Sequence, residues 1–167
     1  FEVPFKRRRT EKTNYRKRIA LLKSKKQRVV VRKTNKNTII QVVDLVNESD
    51  KTMCSANSSE LKKIGWKHST SNLSAAYLAG FLCGTRAKHL KLEQAILDIG
   101  LHSPIHGSKI FACLKGFVDA GVKVNADQTV FPKEERIKGK HLKSPLDQKE
   151  FDKVVKLIEE KKGVLNG

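Results

Sequence analysis

Acidic side chains are scarce in this chain, and so are long apolar runs. Its 167 residues include 17 Asp and Glu against 35 Lys and Arg, which gives a formal net charge of +18. The longest uncharged stretch, residues 69–85, opens with polar residues and is shorter than the roughly 20 apolar residues that a membrane span needs. The first residues form no apolar segment of the kind that secretory signals contain. Hydrophobic residues, at 38%, can still build a core, so we expect a soluble cytoplasmic protein with one compact domain and extensions.

Potential metal ligands are few and poorly spaced. The three cysteines, Cys54, Cys83 and Cys113, are an odd number at wide intervals, which is typical of reduced thiols in a cytosol and unlike a zinc site. His102 and His106 are four residues apart, but a proline between them argues against a helix that presents both to one metal. We therefore expect no metal and no cofactor.

The positive charge is concentrated at the start of the chain. Residues 1–36 hold 15 Lys and Arg against two acids, a net charge of +13, whereas the other 131 residues hold 20 against 15, a net charge of +5. So many adjacent like charges repel one another unless a partner offsets them. This concentration of charge therefore indicates a basic N-terminal arm with a polyanionic partner, most simply a nucleic acid.

Part of this arm is predicted to be helical. Thr13 or Asn14 can cap a helix in which Tyr15, Ile19 and Leu22 form an apolar stripe. The stripe is narrow and lacks Trp and Phe, which favours docking on the chain's own domain or on RNA over a membrane surface. We expect no membrane partner and no small-molecule substrate.

The rest of the chain predicts an α/β fold with a mixed sheet: a three-stranded antiparallel meander, then helix, strand and helix. The predicted strands cover 28–32, 38–46, 51–56 and 95–99, and the predicted helices cover 71–88, 108–120 and 147–162. Residues 125–146 are expected to be irregular. The predicted organisation is a basic N-terminal arm and helix at 1–27, a globular domain at 28–124, and a basic tail with a C-terminal helical extension at 125–167.

Two features of the predicted body have competing interpretations. Ala76, Gly80 and Gly84 form a small-residue stripe, which we expect to let its helix approach the sheet closely. Trp66 lies between lysine pairs and could stack on a base, but a packing anchor is the favoured interpretation. With only ten aromatic residues, the chain favours structured RNA, recognised by shape and phosphates, over single strands.

An enzyme of the same architecture is the main alternative. Asp98 ends a predicted buried strand, where an α/β enzyme can place a catalytic acid, so a metal-dependent nuclease or another nucleic-acid enzyme is conceivable. No histidine or second acid stands at motif spacing, which favours a carboxylate that hydrogen-bonds its own loop. A DNA-binding protein is a third reading, because composition does not separate DNA from RNA.

Basic and polar residues cluster in the arm, at the predicted hairpin, before the helix at 108–120 and in the tail. Ser108 and the helix amides behind it could hold a phosphate. The candidate RNA-binding residues are Lys6, Arg7, Arg8, Arg9, Tyr15, Arg16, Arg18, Arg32, Lys33, Asn35, Lys36, Lys67, His106, Ser108, Lys109, Arg136, Lys138 and Lys140.

An ordered set of motifs covers residues 3–142 of the chain. They are FKRRR at 5–9, KTNYRKR at 12–18, VVRKTNK at 30–36, ELKKIGWK at 60–67, AAYLAG at 75–80, LDIGLH at 97–102, GSKIFA at 107–112, FP at 131–132 and EERIKG at 134–139. In this order the motifs resemble the archaeal type of the large-subunit ribosomal protein L-eighteen family. Departures are modest: Asn37 stands where a histidine is common, and Ile105-His106 replaces a commoner Thr-Lys pair.

The resemblance implies a non-enzymatic α/β protein that binds 5S rRNA. Family members attach 5S rRNA to the large rRNA in the central protuberance of the large ribosomal subunit, beside the ribosomal protein L-five. Carried over by motif, the RNA-contacting positions are in the arm (Lys6 to Arg9, Tyr15, Arg16 and Arg18), the hairpin (Arg32 to Lys36) and the loop from His106 to Lys109. The short length resembles archaeal members, because eukaryotic relatives carry a longer C-terminal extension.

Overall fold

Five strands form one mixed sheet in the computed structural model, which describes residues 3–47, 49–140 and 148–160. The strand order is β3-β2-β1-β4-β5; β1, β2 and β3 are antiparallel neighbours, β4 runs parallel to β1, and β5 runs parallel to β4. The strands are β1 (Arg28–Lys33), β2 (Thr38–Val46), β3 (Ser49–Asn57), β4 (Gln94–Asp98) and β5 (Lys123–Val124). The predicted meander and mixed sheet are confirmed. The two-residue β5 was not predicted, and β4 begins one residue earlier than expected.

The helices follow the predicted order, with short additions. They are α1 (Lys6–Arg9), α2 (Tyr15–Lys23), α3 (Leu61–Ile64), α4 (Leu73–His89), α5 (Lys109–Asp119), α6 (Glu134–Ile137) and α7 (Gln148–Glu160), and Ser58–Glu60 and Gln128–Val130 form single 3-10 turns. The expectation that 125–146 is irregular is wrong in part, because α6 and one 3-10 turn lie there. Positions 141–147 and the predicted helix end at 161–162 lie outside the described residues.

The core lies between one face of the sheet and the helices α4 and α5. Alternation along β1 sends Val29 and Val31 into this core, where both are fully buried, and leaves Val30 half-exposed on the other face. In β2, Ile40 and Val42 are buried on the core side in the same way. The opposite face of the sheet meets α2 across an open groove.

Helices α4 and α5 approach each other closely through glycines. A Cβ placed on Gly80 would overlap the backbone carbonyl of Cys113, and one on Gly84 would lie 2.6 Å from the Cβ of Ala120. On α5, a Cβ at Gly116 would overlap the carbonyl of Tyr77. The expectation that the small-residue stripe of α4 faces the sheet is therefore wrong, since it faces α5. Spacing identifies a close-packing face but not the element that packs on it.

The C-terminal helix α7 is docked onto the body by its apolar face. Phe151, Val154 and Ile158 are buried, and Glu150 pairs with His68 at 3.0 Å. The Trp66 ring packs edge-on against Phe151, with centroids 6.5 Å apart, and Trp66 is only 2% exposed. Trp66 is thus a packing anchor and offers no face to a base.

In the part of the chain that the structure describes, no helix combines the length and apolarity that crossing a membrane would require.

Replacing Gly80 with alanine should destabilise the fold. The added methyl group has no room against Cys113, and overpacking of this kind costs about 1–3 kcal/mol, which outweighs the ~1 kcal/mol by which alanine is favoured inside a helix. Urea unfolding should show a lower midpoint for Gly80→Ala than for the exposed control Lys88→Ala on the same helix. Equal midpoints for the two variants would mean that the helices can separate without cost.

Candidate nucleic-acid interface

A concave groove of about 800 Å³ lies between the arm and the uncovered face of the sheet. We call it the basic groove. Its charged lining consists of Arg7, Lys12, Lys17, Arg18, Arg28, Arg32, Asp50 and Asp98, together with His102. Six cations against two acids give the groove a net positive charge, as expected of a surface that receives a polyanion.

Five of these side chains form a continuous row of ion pairs along the floor of the basic groove. Asp50 accepts from Arg18 at 2.8 Å and from Arg28 at 2.6 Å, and Asp98 accepts from Arg28 at 3.1 Å. Asp98 also accepts from Arg32 at 3.5 Å. The Arg28 side chain is 5% exposed, so it needs both carboxylates to compensate for its burial. The row connects α2, β3, β1 and β4.

Two predicted RNA-binding residues, Arg18 and Arg32, belong to this row. Each is held by an acid, and Arg32 also donates to the backbone carbonyls of Val31 at 2.9 Å and Asp98 at 3.0 Å. About two fifths of each side chain remains exposed, so both can still present charge to the groove. Their first role in the free protein is to position the arm and the end of β1.

The surroundings of Asp98 leave little basis for a nuclease. Its carboxylate accepts from the backbone N–H of Gly100 at 2.8 Å as well as from the two arginines, so it stabilises the loop after β4. The described residues contain no group of three or more His, Cys, Asp or Glu side chains that could hold a metal ion. These contacts agree with the prediction that the Asp98 carboxylate accepts a hydrogen bond from its own loop.

The arm presents its cations to solvent. Lys6–Arg9 form the one-turn helix α1 with every side chain exposed, and Arg7 donates to Thr13 at 2.9 Å. Asn14 caps α2 by accepting from the backbone N–H of Lys17 at 3.2 Å. Arg16 is exposed, whereas Tyr15 is half-buried. None of the cations of α1 forms an ion pair within the described residues.

The parallel pairing of β1 and β4 brings the remaining predicted residues toward one end of the molecule, which we call the hairpin end. Both strands terminate there, so the turn at 34–37 and the loop at 99–108 lie side by side. The segment between α3 and α4, which contains Lys67, lies beside this turn, since the Thr70 hydroxyl donates to the carbonyl of Lys36 at 2.9 Å. Lys33, Asn35, Lys36 and Lys67 are all exposed.

The start of α5 and the tail complete the hairpin end. The backbone N–H of Gly107 donates to the carbonyl of Val130 at 2.9 Å, and Ser74 at the start of α4 donates to the carbonyl of Ile137. Ser108 occupies the N-cap position of α5, but its hydroxyl is buried and has no hydrogen-bond partner in the described structure. Around this junction His106, Arg136 and Lys140 are exposed, and Lys109 and Lys138 are half-buried.

Sequence reasoning missed five charged or titratable residues of the basic groove: Lys12, Lys17, Arg28, Asp50 and His102. Burial first, and then the charges of Lys33 and Arg32, lower the pKa of His102 below its ordinary value, so these two cations lie close enough to act on the ring. The position of His102, four residues after Asp98 on the loop that follows a parallel strand, could have indicated that it belongs to the groove. No sequence signal separates Arg28 from the other arginines, because its acidic partners come from distant positions.

The fold and the basic groove define a nucleic-acid-binding α/β protein. A family model described as "Ribosomal large subunit proteins 60S L5, and 50S L18" matches residues 1–94. The chain is also 46% identical over 156 residues to Large ribosomal subunit protein uL18 of the archaeon Methanothermobacter thermautotrophicus, across 92% of this chain and 81% of that relative. The chain therefore belongs to this family of large-subunit ribosomal proteins, which are structural and not enzymatic. The resemblance drawn from the motifs is confirmed, and ribosomal RNA and other ribosomal proteins are its partners.

Replacing Asp98 with asparagine should weaken the fold by removing one of the two charges that compensate Arg28. We expect a loss of about 2–3 kcal/mol, below the 3–5 kcal/mol of a fully unpaired buried charge, because Arg28 keeps Asp50. Chemical denaturation should separate Asp98→Asn from the exposed control Asp152→Asn on α7. A loss no larger than that of the control would show that Asp98 contributes nothing to the row.

Proposed function

We propose that this chain binds 5S rRNA and helps attach it to the large rRNA in the central protuberance, beside the ribosomal protein L-five. One observation carries the proposal: the exposed cations of Lys6–Arg9 have no acidic partner within the described residues. Their mutual repulsion persists until a polyanion offsets it. The family shown by the comparisons makes that polyanion ribosomal RNA.

The proposed contacts fall into two groups. The cations of α1 and of the turn at 34–37, which form no ion pair within the described residues, bind phosphates and supply the affinity. The folded hairpin end supplies shape recognition, because its loops are held to each other by hydrogen bonds that backbone carbonyls accept. A-form RNA is recognised in this manner, through phosphates, sugar hydroxyls and overall shape. The proposed binding residues are those predicted from the sequence, with Arg18 and Arg32 acting mainly by positioning.

The proposal divides the chain into three parts with different roles. The arm at 1–27 binds phosphates, the body at 28–124 carries the floor of the basic groove and most of the hairpin end, and the tail at 125–167 contributes to that end through residues 125–140. Two contacts support a tail that works together with the body: Gly107 to Val130 and Ser74 to Ile137. The ion pair between Arg18 and Asp50 supports an arm with a defined direction over the sheet.

Competition binding tests the choice of RNA. Labelled 5S rRNA bound to the full chain at physiological salt should resist an excess of tRNA and of duplex DNA, because only the right RNA shape meets both the arm and the hairpin end. Electrophoretic mobility or filter binding reads out the displaced fraction. Equal displacement by 5S rRNA and tRNA would contradict 5S recognition, and preferential displacement by duplex DNA would point to a DNA-binding protein.

Neutralising the arm should change the salt dependence of RNA binding. If Lys6, Arg7, Arg8 and Arg9 each neutralise one phosphate, replacing all four with glutamine should reduce the slope of log affinity against log salt by about 3, at roughly 0.7–0.9 per phosphate. The matched control removes the same charge elsewhere, by K88Q, K91Q, K153Q and K156Q, and should leave most of the slope intact. Equal slopes for the two variants would remove the arm from the binding site.

A further inference from the structure

A cluster of exposed apolar side chains lies on the arm and adjoins the basic groove, with which it shares Leu101. Phe5 is 73% exposed and Ile19 is 52% exposed, and both line one cavity of about 690 Å³ together with Leu101 and the half-buried Tyr15. We call it the arm cavity. Large apolar side chains exposed together on a small protein mark a binding site more often than a packing defect. The phosphate contacts proposed above give no role to Phe5, Ile19 or Leu101.

The wall of the arm cavity is aromatic. The rings of Phe5 and Tyr15 have centroids 5.4 Å apart and planes inclined at 39°, and most of the Phe5 ring faces solvent. Each ring therefore supports the other while one face stays available for stacking. The sequence, with ten aromatic residues, had indicated few stacking platforms for RNA bases. The arm brings two of those rings together at its exposed surface.

The rim of the arm cavity is charged in a way that suits a nucleotide. Arg8 and Arg16 line it and are exposed, so a phosphate can reach both. Glu11, the one acid among the described residues that line it, is held in a left-handed turn at φ 52°. A carboxylate repels phosphate but accepts a hydrogen bond from the exocyclic amino group of a base. The aromatic wall, the guanidinium rim and the carboxylate acceptor match the base face, the phosphate and the exocyclic amino group of one unpaired nucleotide.

We propose that the arm cavity binds one unpaired nucleotide of the RNA, with its base stacked on Phe5 and its phosphate on Arg8 and Arg16. The inference rests on the proposed function in one respect, that the RNA in question is ribosomal. A protein partner is disfavoured because it would need an acidic surface to meet the cations that surround the cavity. The carboxylate of Glu11 favours adenine, cytosine or guanine over uracil, which has no amino group.

Phe5→Leu is the informative variant, since it keeps apolar bulk and removes the stacking face. Base–aromatic stacking changes affinity several-fold to more than a hundredfold per base, and we expect about a fivefold to tenfold loss for 5S rRNA because leucine keeps part of the contact. The salt slope should not change, since no phosphate contact is removed. Phe5→Tyr, which keeps an aromatic ring, should bind with the affinity of the parent. Leu90→Ala, at the exposed apolar residue that follows α4, should also leave the affinity unaltered. Because Phe5 is exposed, the melting temperature of Phe5→Leu should match that of the parent.

Ultraviolet cross-linking gives the second readout. Irradiation of the full chain with 5S rRNA, followed by mass spectrometry, should yield a nucleotide adduct on Phe5 or Tyr15, and adducts should fall in Phe5→Leu. Unchanged affinity together with no adduct at either ring overturns the nucleotide pocket while leaving 5S recognition intact. If 5S preference fails in competition but tRNA still cross-links at these rings, the pocket stands and the proposed function falls. If Phe5→Leu instead abolishes self-association and leaves RNA affinity unchanged, the cluster joins two copies of the chain and the inference is wrong.

Discussion

The row of ion pairs on the floor of the basic groove is the constraint on which the rest of the surface depends. Charges alternate along it, in the order Arg18, Asp50, Arg28, Asp98 and Arg32. Without the two acids, a basic helix would be repelled by the basic edge of the sheet. Asp50 attaches α2 to the sheet through Arg18, and Asp98 bridges β4 to β1 through Arg28, which reinforces the register of the two strands. Asp98 also holds the loop after β4 by accepting from Gly100. The arm and the hairpin end are thereby presented together.

Much of the fold could be predicted because its signals are local. The β-branched runs of β1 and β2, the polar turn between them and the apolar helices α4 and α5 all follow from local sequence patterns. The partner of the glycines in α4 could not be predicted in this way, because a small-residue face suits a sheet and a helix equally. The strand β5 was missed for another reason: two residues are too few to show a period, and pairing with β4 defines it.

The sequence was enough to predict which residue types form the candidate site and in which regions they lie. It was not enough to predict which of the cations are already paired with acids. Lys33 is the last residue of β1 and Lys36 lies in the turn that follows it, and the pairing of β1 with β4 places the loop at 99–108 beside them. The sequence does not distinguish Arg18 and Arg32 from the cations of α1, which form no ion pair within the described residues. Their acidic partners are 32 and 66 residues away in the chain, so only the folded topology shows that these two guanidiniums are already engaged.

Pairing at the floor also decides where the field of the basic groove is strongest. The floor carries three arginines against two aspartates, so most of its charge is neutralised within the protein. The remaining cations of the lining, Arg7, Lys12 and Lys17, stand on the arm side of the groove and form no ion pair within the described residues. A phosphate placed on the floor would face Asp50 or Asp98, whereas one at the rim meets the positive charges of Arg7, Lys12 and Lys17. The acids that hold the arm in place thus also direct a polyanion away from the buried arginine and toward the arm.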